Sequence, residues 1–166
     1  MVIETQPEKL GNLFFQSDTT QVNKVSADVI PPGKLLFQDG TATPAGAFKQ
    51  TATGAEFGPF RVSIIDTAPA GALKTHVAEP NSEIYMEAQG ALPGHCEVQP
   101  GTRPGTIAAY VEPTVSASPT QAEVTAVRNA RRRKVGEYRG KTNNNVRDGG
   151  VVPPAADTDL VIVKIY

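Results

Sequence analysis

The chain has 166 residues and a formal net charge of −1, with 15 Gly, 14 Pro and one Cys. This length suits one domain with its own core. The nearly neutral charge argues against a general nucleic-acid binder, and the single Cys excludes both an internal disulfide framework and a multi-cysteine metal site. No apolar run approaches the ~20 residues of a membrane span and the opening residues lack signal-peptide features, so we expect a protein made in the cytoplasm that contacts no membrane.

Residues 1–20 are predicted to be an N-terminal anchoring arm, and residues 21–166 a single β-rich domain. In the arm, a polar lead is followed by the apolar residues Leu13, Phe14 and Phe15. We expect these three side chains to bind a neighbouring subunit, because terminal segments become ordered mainly when they are tied down. The alternative is an ordinary first strand that packs into its own domain.

The next segments alternate between strand patterns and turns. Residues 22–40 contain a Pro-Pro-Gly corner that leads into a short buried strand. Residues 41–58 are rich in Thr, Ala and Gly and are predicted to be a long loop or an irregular hairpin. Residues 60–66, with the sequence FRVSIID, give the strongest strand pattern, because their alternate apolar residues share one face. Residues 106–111 are predicted to form a further strand.

The clearest β pattern lies in residues 82–102. Apolar and polar residues alternate from Ile84 to Ala88, as in a strand with one buried face. Pro93 and Gly94 suit the centre of a type II turn, because Pro fixes its own φ and Gly accepts a positive one. A second short apolar alternation follows the turn. We therefore predict a β-hairpin.

One segment has a helical signature. Thr120 and Glu123 have the spacing of a capping box, which places a Thr hydroxyl and a Glu carboxylate on the first free backbone amides. A short helix is predicted to run from there to about Lys134. Val124 and Val127 are predicted to form its buried stripe.

Basic residues are concentrated at the end of this helix. Eight of the 16 Lys and Arg residues lie between Arg128 and Arg147. Four are consecutive: Arg131, Arg132, Arg133 and Lys134. We predict that these four bind an acidic surface of a protein partner. The structural alternative is a solvated helix end. Direct binding of nucleic acid is disfavoured, because no aromatic residues interleave the run.

Residues 157–166 predict a final strand that is apolar on both faces. Leu160 and Ile162 share one face, and Val161 and Val163 share the other. Such a strand is either central in a sheet or covered by another subunit.

The sequence shows no catalytic constellation. His76 and His95 have no Ser, Cys or carboxylate at a recognisable motif spacing, and Cys96 is expected to point away from His95 on a strand. Glu83 and Glu87 are about 13 Å apart along a strand at ~3.3 Å per residue, too far for a paired acid and base. Without a phosphate-binding, dinucleotide-binding or metal-binding motif, we expect no enzyme, no cofactor and no metal.

The elements predict a mostly β protein: a small β-barrel or sandwich with long loops and at most one short helix. Their order resembles that of the head decoration, or cement, proteins of tailed bacteriophages. The resemblance covers residues 30–166 and lies in the corner and strand at residues 32–37, the GPFRVSIID segment at residues 58–66, the turn at residues 91–94, and the closing blocks at residues 134–141 and 159–165.

The resemblance implies a structural virion protein that binds the outer surface of an icosahedral head and stabilises contacts between capsomers. It implies the major capsid protein as a partner, together with other copies of the chain in a trimer or another small homo-oligomer. Such a protein is made in the host cytoplasm and ends on the capsid exterior. The alternatives are another virion part, such as a tail or head-tail connector component, and a small-ligand-binding β-barrel, which needs an apolar cavity.

Overall fold

The computed structural model describes residues 19–22, 30–31, 33–41, 47–63, 75–78, 80–141 and 160–166. Ten strands and one helix lie within these residues: β1 (Thr19–Val22), β2 (Leu35–Asp39), β3 (Ala47–Gln50), β4 (Phe60–Val62), β5 (Thr75–Ala78), β6 (Glu83–Gln89), β7 (Glu97–Pro100), β8 (Ile107–Ala109), α1 (Gln121–Arg131), β9 (Gly136–Lys141) and β10 (Leu160–Ile165). The predicted mostly β fold with one short helix is confirmed.

Five strands close into a barrel in the order β10-β6-β8-β7-β9. Strands β6 and β8 run parallel, and the other neighbours in the barrel run antiparallel. Strands β3, β2 and β4 form a separate antiparallel sheet, and β1 pairs with β5. A bridge between Ser63 and Val77 joins the end of β4 to β5. The structure therefore combines a small barrel with two smaller sheets.

Apolar side chains of the barrel strands fill the centre of the fold. The fully buried members from the barrel are Ile84, Met86, Ala88, Val98, Ile107, Tyr138, Val161 and Val163. Leu35 of β2 and Val62 of β4 belong to the same cluster, so the barrel and the three-stranded sheet share one core. In a barrel of so few strands, side chains fill the interior. Burial of these apolar side chains is the main source of the stability of the fold.

Polar contacts around Lys34 hold the three-stranded sheet to the barrel. The Lys34 Nζ atom lies 2.8 Å from a carboxylate oxygen of Glu87 on β6. The Lys34 backbone N donates to the Ser63 hydroxyl at 3.0 Å, and that hydroxyl donates to the Pro31 carbonyl at 2.6 Å. Gly33 has a φ of +73° and donates its N–H to the Ser63 carbonyl at 2.7 Å. Because a positive φ is easy for Gly, the predicted Pro-Gly corner turns the chain here.

The predicted hairpin at residues 82–102 is wrong. Its two strands exist as β6 and β7, but β8 lies between them and pairs with both. The tight local pairing joins β7 to β8, where the Gly101 N–H donates to the Thr106 carbonyl at 2.9 Å. Strand β6 therefore pairs with β8 in place of the strand that follows it in sequence.

The turn between β6 and β7 also differs from the prediction. The Cys96 N–H donates to the Pro93 carbonyl at 3.1 Å, so Pro93 is the first residue of the turn and Gly94 and His95 are its centre. His95 has a φ of +51° and takes the left-handed conformation that the prediction gave to Gly94.

Strand β10 was predicted to be either central in a sheet or covered by another subunit, and it is central. It pairs with β6 on one side and with β9 on the other. Val163 is fully buried in the core cluster, and Ile162, which is paired with Tyr85, is only 4% exposed. Both apolar faces are thus covered within a single chain, and neither needs a neighbouring subunit to bury it.

Replacing Gly136 with Ala is expected to destabilise the barrel. A Cβ atom at this position would lie 2.2 Å from the Lys164 carbonyl oxygen and 2.9 Å from the Ile165 Cα, and this backbone cannot move without opening the β9–β10 pair. We expect Gly136→Ala to lower the free energy of unfolding by about 1–3 kcal/mol, as overpacking of a well-packed site does. Urea unfolding of Gly40→Ala is the control, because a Cβ on Gly40 meets nothing within 4 Å. Equal midpoints for the two variants would contradict this account of the barrel.

Candidate functional site

Helix α1 begins as predicted. The Glu123 N–H donates to the Thr120 hydroxyl at 3.2 Å, and the Thr120 N–H donates to a Glu123 carboxylate oxygen at 2.7 Å. This reciprocal pair is the expected capping box. The helix ends at Arg131, with Arg132 as its C-cap, before the predicted end near Lys134.

The predicted buried stripe of α1 is wrong for Val124. Val124 is 41% exposed and Val127 is half-buried, whereas Ala130 is the buried residue of the helix. The reason is that α1 is attached to the body of the fold at its C-terminal end, where the Gly58 N–H donates to the Arg132 carbonyl at 3.3 Å. The first turns of the helix pack against the preceding segment and do not reach the barrel core.

Val124 and Val127 instead line an apolar groove, which we call the α1 groove. It has a volume of about 640 Å³ and lies between α1 and the segment before it. Its lining residues are Glu112, Pro113, Val115, Pro119, Val124, Val127, Arg128, Arg131 and Arg132. The helical members recur at intervals of three and four residues, which places them on one face of α1. The groove thus combines aliphatic and proline side chains with a cluster of arginines.

Polar contacts tie the two walls of the α1 groove together. The Arg131 Nη2 atom lies 2.6 Å from Glu112 Oε1, and the Arg131 Nε–H donates to the same oxygen at 2.8 Å. Towards the start of the helix, the Ser116 N–H and hydroxyl donate to the two carboxylate oxygens of Glu123, each at 3.0 Å. These contacts hold the groove in shape without a bound partner.

Both carboxylates of these contacts stay charged well below neutral pH. Hydrogen bonds from the Thr120 and Ser116 backbones, and then from their hydroxyls, lower the pKa of Glu123 to about 2. The hydrogen bond from Arg131 is the main cause of the lowered pKa of Glu112. A hydrogen bond donated to a carboxylate favours its charged form, so the contacts are complete at neutral pH.

The four consecutive basic residues do not form one continuous patch. Their side chains contact different parts of the chain: Arg131 pairs with Glu112, Arg132 lies over the Phe57 ring, Arg133 donates to the Gly54 carbonyl, and Lys134 contacts Glu97 and the Tyr110 ring. Arg131 and Arg132 are exposed and line the α1 groove. Arg133 and Lys134 are half-buried and fasten the end of the helix to the rest of the fold. Binding of a partner by the run stays a prediction, with Arg131 and Arg132 its accessible members.

The groove also contains a basic residue, Arg128, that the predicted binding run of residues 131–134 does not include. Arg128 lies one helical turn before the run, is exposed, and has no ion-pair or hydrogen-bond partner for its guanidinium among the described residues. Its position four residues after Val124 is the signal that could have found it, because that spacing puts both side chains on one helical face. The pairing of Arg131 with Glu112 has no comparable signal, since 19 residues separate them.

The apolar residues Leu13, Phe14 and Phe15 of the predicted anchoring arm lie outside the described residues, so their role stays a prediction. Thr19 and Thr20, the last residues of the predicted arm, begin β1 and pair with β5.

Cys96 and His95 are adjacent in sequence and lie just before β7. Burial raises the pKa of the Cys96 thiol, which keeps it protonated and a poor nucleophile. The exposed His95 has its Nδ1 atom 3.5 Å from a carboxylate oxygen of Glu137. Among the described residues, no group of three or more His, Cys, Asp or Glu side chains is placed to hold a metal ion. No helix in the described part of the chain has the length and apolarity to cross a membrane.

Comparisons with protein-family models, with curated proteins and with solved structures give no significant match to this chain.

Acid is expected to remove the contribution of Glu123 to α1. The folded pKa of about 2 is below the ordinary value of 4.5, so this contribution is complete above about pH 4.5 and is lost as the pH falls towards 2. The helical circular-dichroism signal of the unsubstituted protein should exceed that of Glu123→Gln at pH 7, and the two should converge near pH 2. A difference that is unchanged between pH 7 and pH 2 would show that the charge of Glu123 does not stabilise the helix.

Proposed function

We propose that this protein is a structural virion protein: a decoration protein that binds the outer surface of an icosahedral head and stabilises the contacts between capsomers. The surface around α1 makes the attachment. The partners are the major capsid protein and other copies of the chain, arranged as a trimer or another small homo-oligomer.

The distribution of exposed apolar side chains is the observation that carries this proposal. In the described residues, the large exposed apolar side chains are Phe57, Val111, Val115, Val124 and Tyr166. Each belongs to the segment of residues 110–135 or touches it: Phe57 lies against Arg132, and the Tyr166 N–H donates to the Val135 carbonyl at 2.9 Å. Exposed apolar side chains that concentrate in and around one segment are typical of a protein–protein contact.

The filled barrel supports an external binding surface over an internal one. A small-ligand-binding barrel needs an open, largely apolar cavity, whereas Ile84, Met86, Ile107 and Tyr138 are fully buried in the core cluster of this barrel. The strands that carry the resemblance to phage decoration proteins include β2, β4, β9 and β10, and these build the shared core and close the barrel. A rigid body with an external attachment surface is what a cement protein requires.

Particles of the virus that encodes the chain provide the test. Heads stripped of the chain should release DNA at a lower temperature than intact heads, and adding back the purified protein should restore the difference. Val124→Asp should weaken rebinding by about tenfold or more, because it loses apolar burial worth ~1.4 kcal/mol and places a charge in the contact.

Ala126→Asp is the matched control, because Ala126 is exposed on the same helix and does not line the groove. This variant should rebind almost normally. Particles that never contain the chain would refute the proposed function, and a chain found only in tails or connectors would assign it to another virion part.

A further inference from the structure

We infer that the α1 groove receives an extended segment of the capsid protein in which an aliphatic or aromatic side chain is flanked by Asp or Glu, and that Arg128 pairs with one of those carboxylates. This inference rests on the proposed function and specifies the partner chemistry that the attachment surface selects.

The walls of the α1 groove fit an apolar side chain. Val115, Val124 and Val127 contribute aliphatic surface, and Pro113 and Pro119 contribute rings that have few conformations to lose. The groove is open to solvent, and its volume of about 640 Å³ leaves room for an aliphatic or aromatic side chain. An aliphatic or aromatic side chain therefore gains burial there at little cost in ordering the groove.

The charge of the groove selects an acidic partner. Its lining holds three arginines and one glutamate, Glu112, which together give a charge of +3 − 1 = +2, whereas the whole chain carries −1. Opposite charges on the two sides of an interface speed the encounter and disfavour the wrong partners. A segment with carboxylates next to its apolar side chain matches both properties of the groove.

The three arginines have different roles. Arg131 is held by Glu112, and the Arg132 guanidinium lies 5.0 Å from the centroid of the Phe57 ring. Arg128 alone among the three has no such contact with a described residue. A guanidinium can bind both oxygens of a carboxylate through parallel hydrogen bonds, so Arg128 is the group that an incoming carboxylate would meet.

The shape of the surface favours a peptide segment over a small amphipathic anion. The contact of Arg131 with Glu112 and that of Ser116 with Glu123 join the two walls of the groove in the unbound chain. Because the groove is formed before binding, little free energy is spent in ordering it. The lining runs along both walls of the groove, from Glu112 to Pro119 and from Val124 to Arg132, so an extended chain can follow its length.

The test is an NMR titration of the isotope-labelled full chain with capped peptides. The peptide Gly-Asp-Leu-Phe-Glu-Gly should shift the resonances of Val115, Val124 and Val127 and saturate them. The matched peptide Gly-Lys-Leu-Phe-Lys-Gly should bind at least about fivefold more weakly, because exposed charge pairs contribute about 0.2–1 kcal/mol each.

Two variants with the same change in net charge locate the selectivity. Arg128→Gln should weaken binding of the acidic peptide about threefold, on the scale of one exposed charge pair. Ala126→Glu, which changes the same helix outside the groove, should retain most of the affinity.

Any of the following results would overturn the inference: no shifts at the three valines, equal affinity for the two peptides, equal loss in the two variants, or saturation by decanoate without a response to the acidic peptide. Shifts of the same resonances with protein concentration alone would assign the groove to a second copy and also overturn it. Because the titration uses the isolated chain, a negative result would not contradict the proposed attachment of the chain to heads. Absence of the chain from heads would refute the proposed function and leave the measured peptide selectivity in place.

Discussion

Closure of the barrel by β10 is the constraint on which the rest of the structure depends. This last strand pairs with β6 and β9, and its Val161 and Val163 side chains are fully buried in the core. Without it, the order β6-β8-β7-β9 would be an open sheet with its apolar face in water. The close approach at Gly136 allows β9 to lie against β10. Because the closed barrel is filled by its own side chains, the chain is left with its outer surface for binding.

The segment between β8 and β9 provides much of that outer surface. It leaves the barrel, forms α1 and returns, and it is fastened where Lys134 contacts Glu97 and where Arg132 accepts a hydrogen bond from Gly58. Apart from Val135, which is buried in the core cluster, its apolar side chains therefore contribute little to the barrel core. Burying a valine such as Val124 is worth roughly 1.5 kcal/mol, a stabilisation that the isolated chain forgoes and that a partner can supply. A stable barrel tolerates this loss, since its own core does not include α1.

Local patterns predicted the elements well, and their assembly poorly. Alternation from Ile84 to Ala88 located β6, and the Thr120–Glu123 capping box located α1, because both depend on residues close in sequence. Alternation tells which face of a strand is buried and does not tell which strand pairs with it, so the position of β8 between β6 and β7 was not predictable. In the same way, helical spacing put Val124 on an apolar face but could not tell a core from an open groove. The role of Phe14 in an arm stays a prediction.

The location of α1 in an assembled particle tests the central claim most directly. A cryo-electron microscopy reconstruction of the mature head of the encoding virus should show the barrel on the outer surface with α1 turned towards the shell. Density from a capsid side chain should fill the groove between Val115 and Val124, and a carboxylate should lie within hydrogen-bonding distance of Arg128. A bound chain whose α1 faces the solvent with an empty groove would contradict the account.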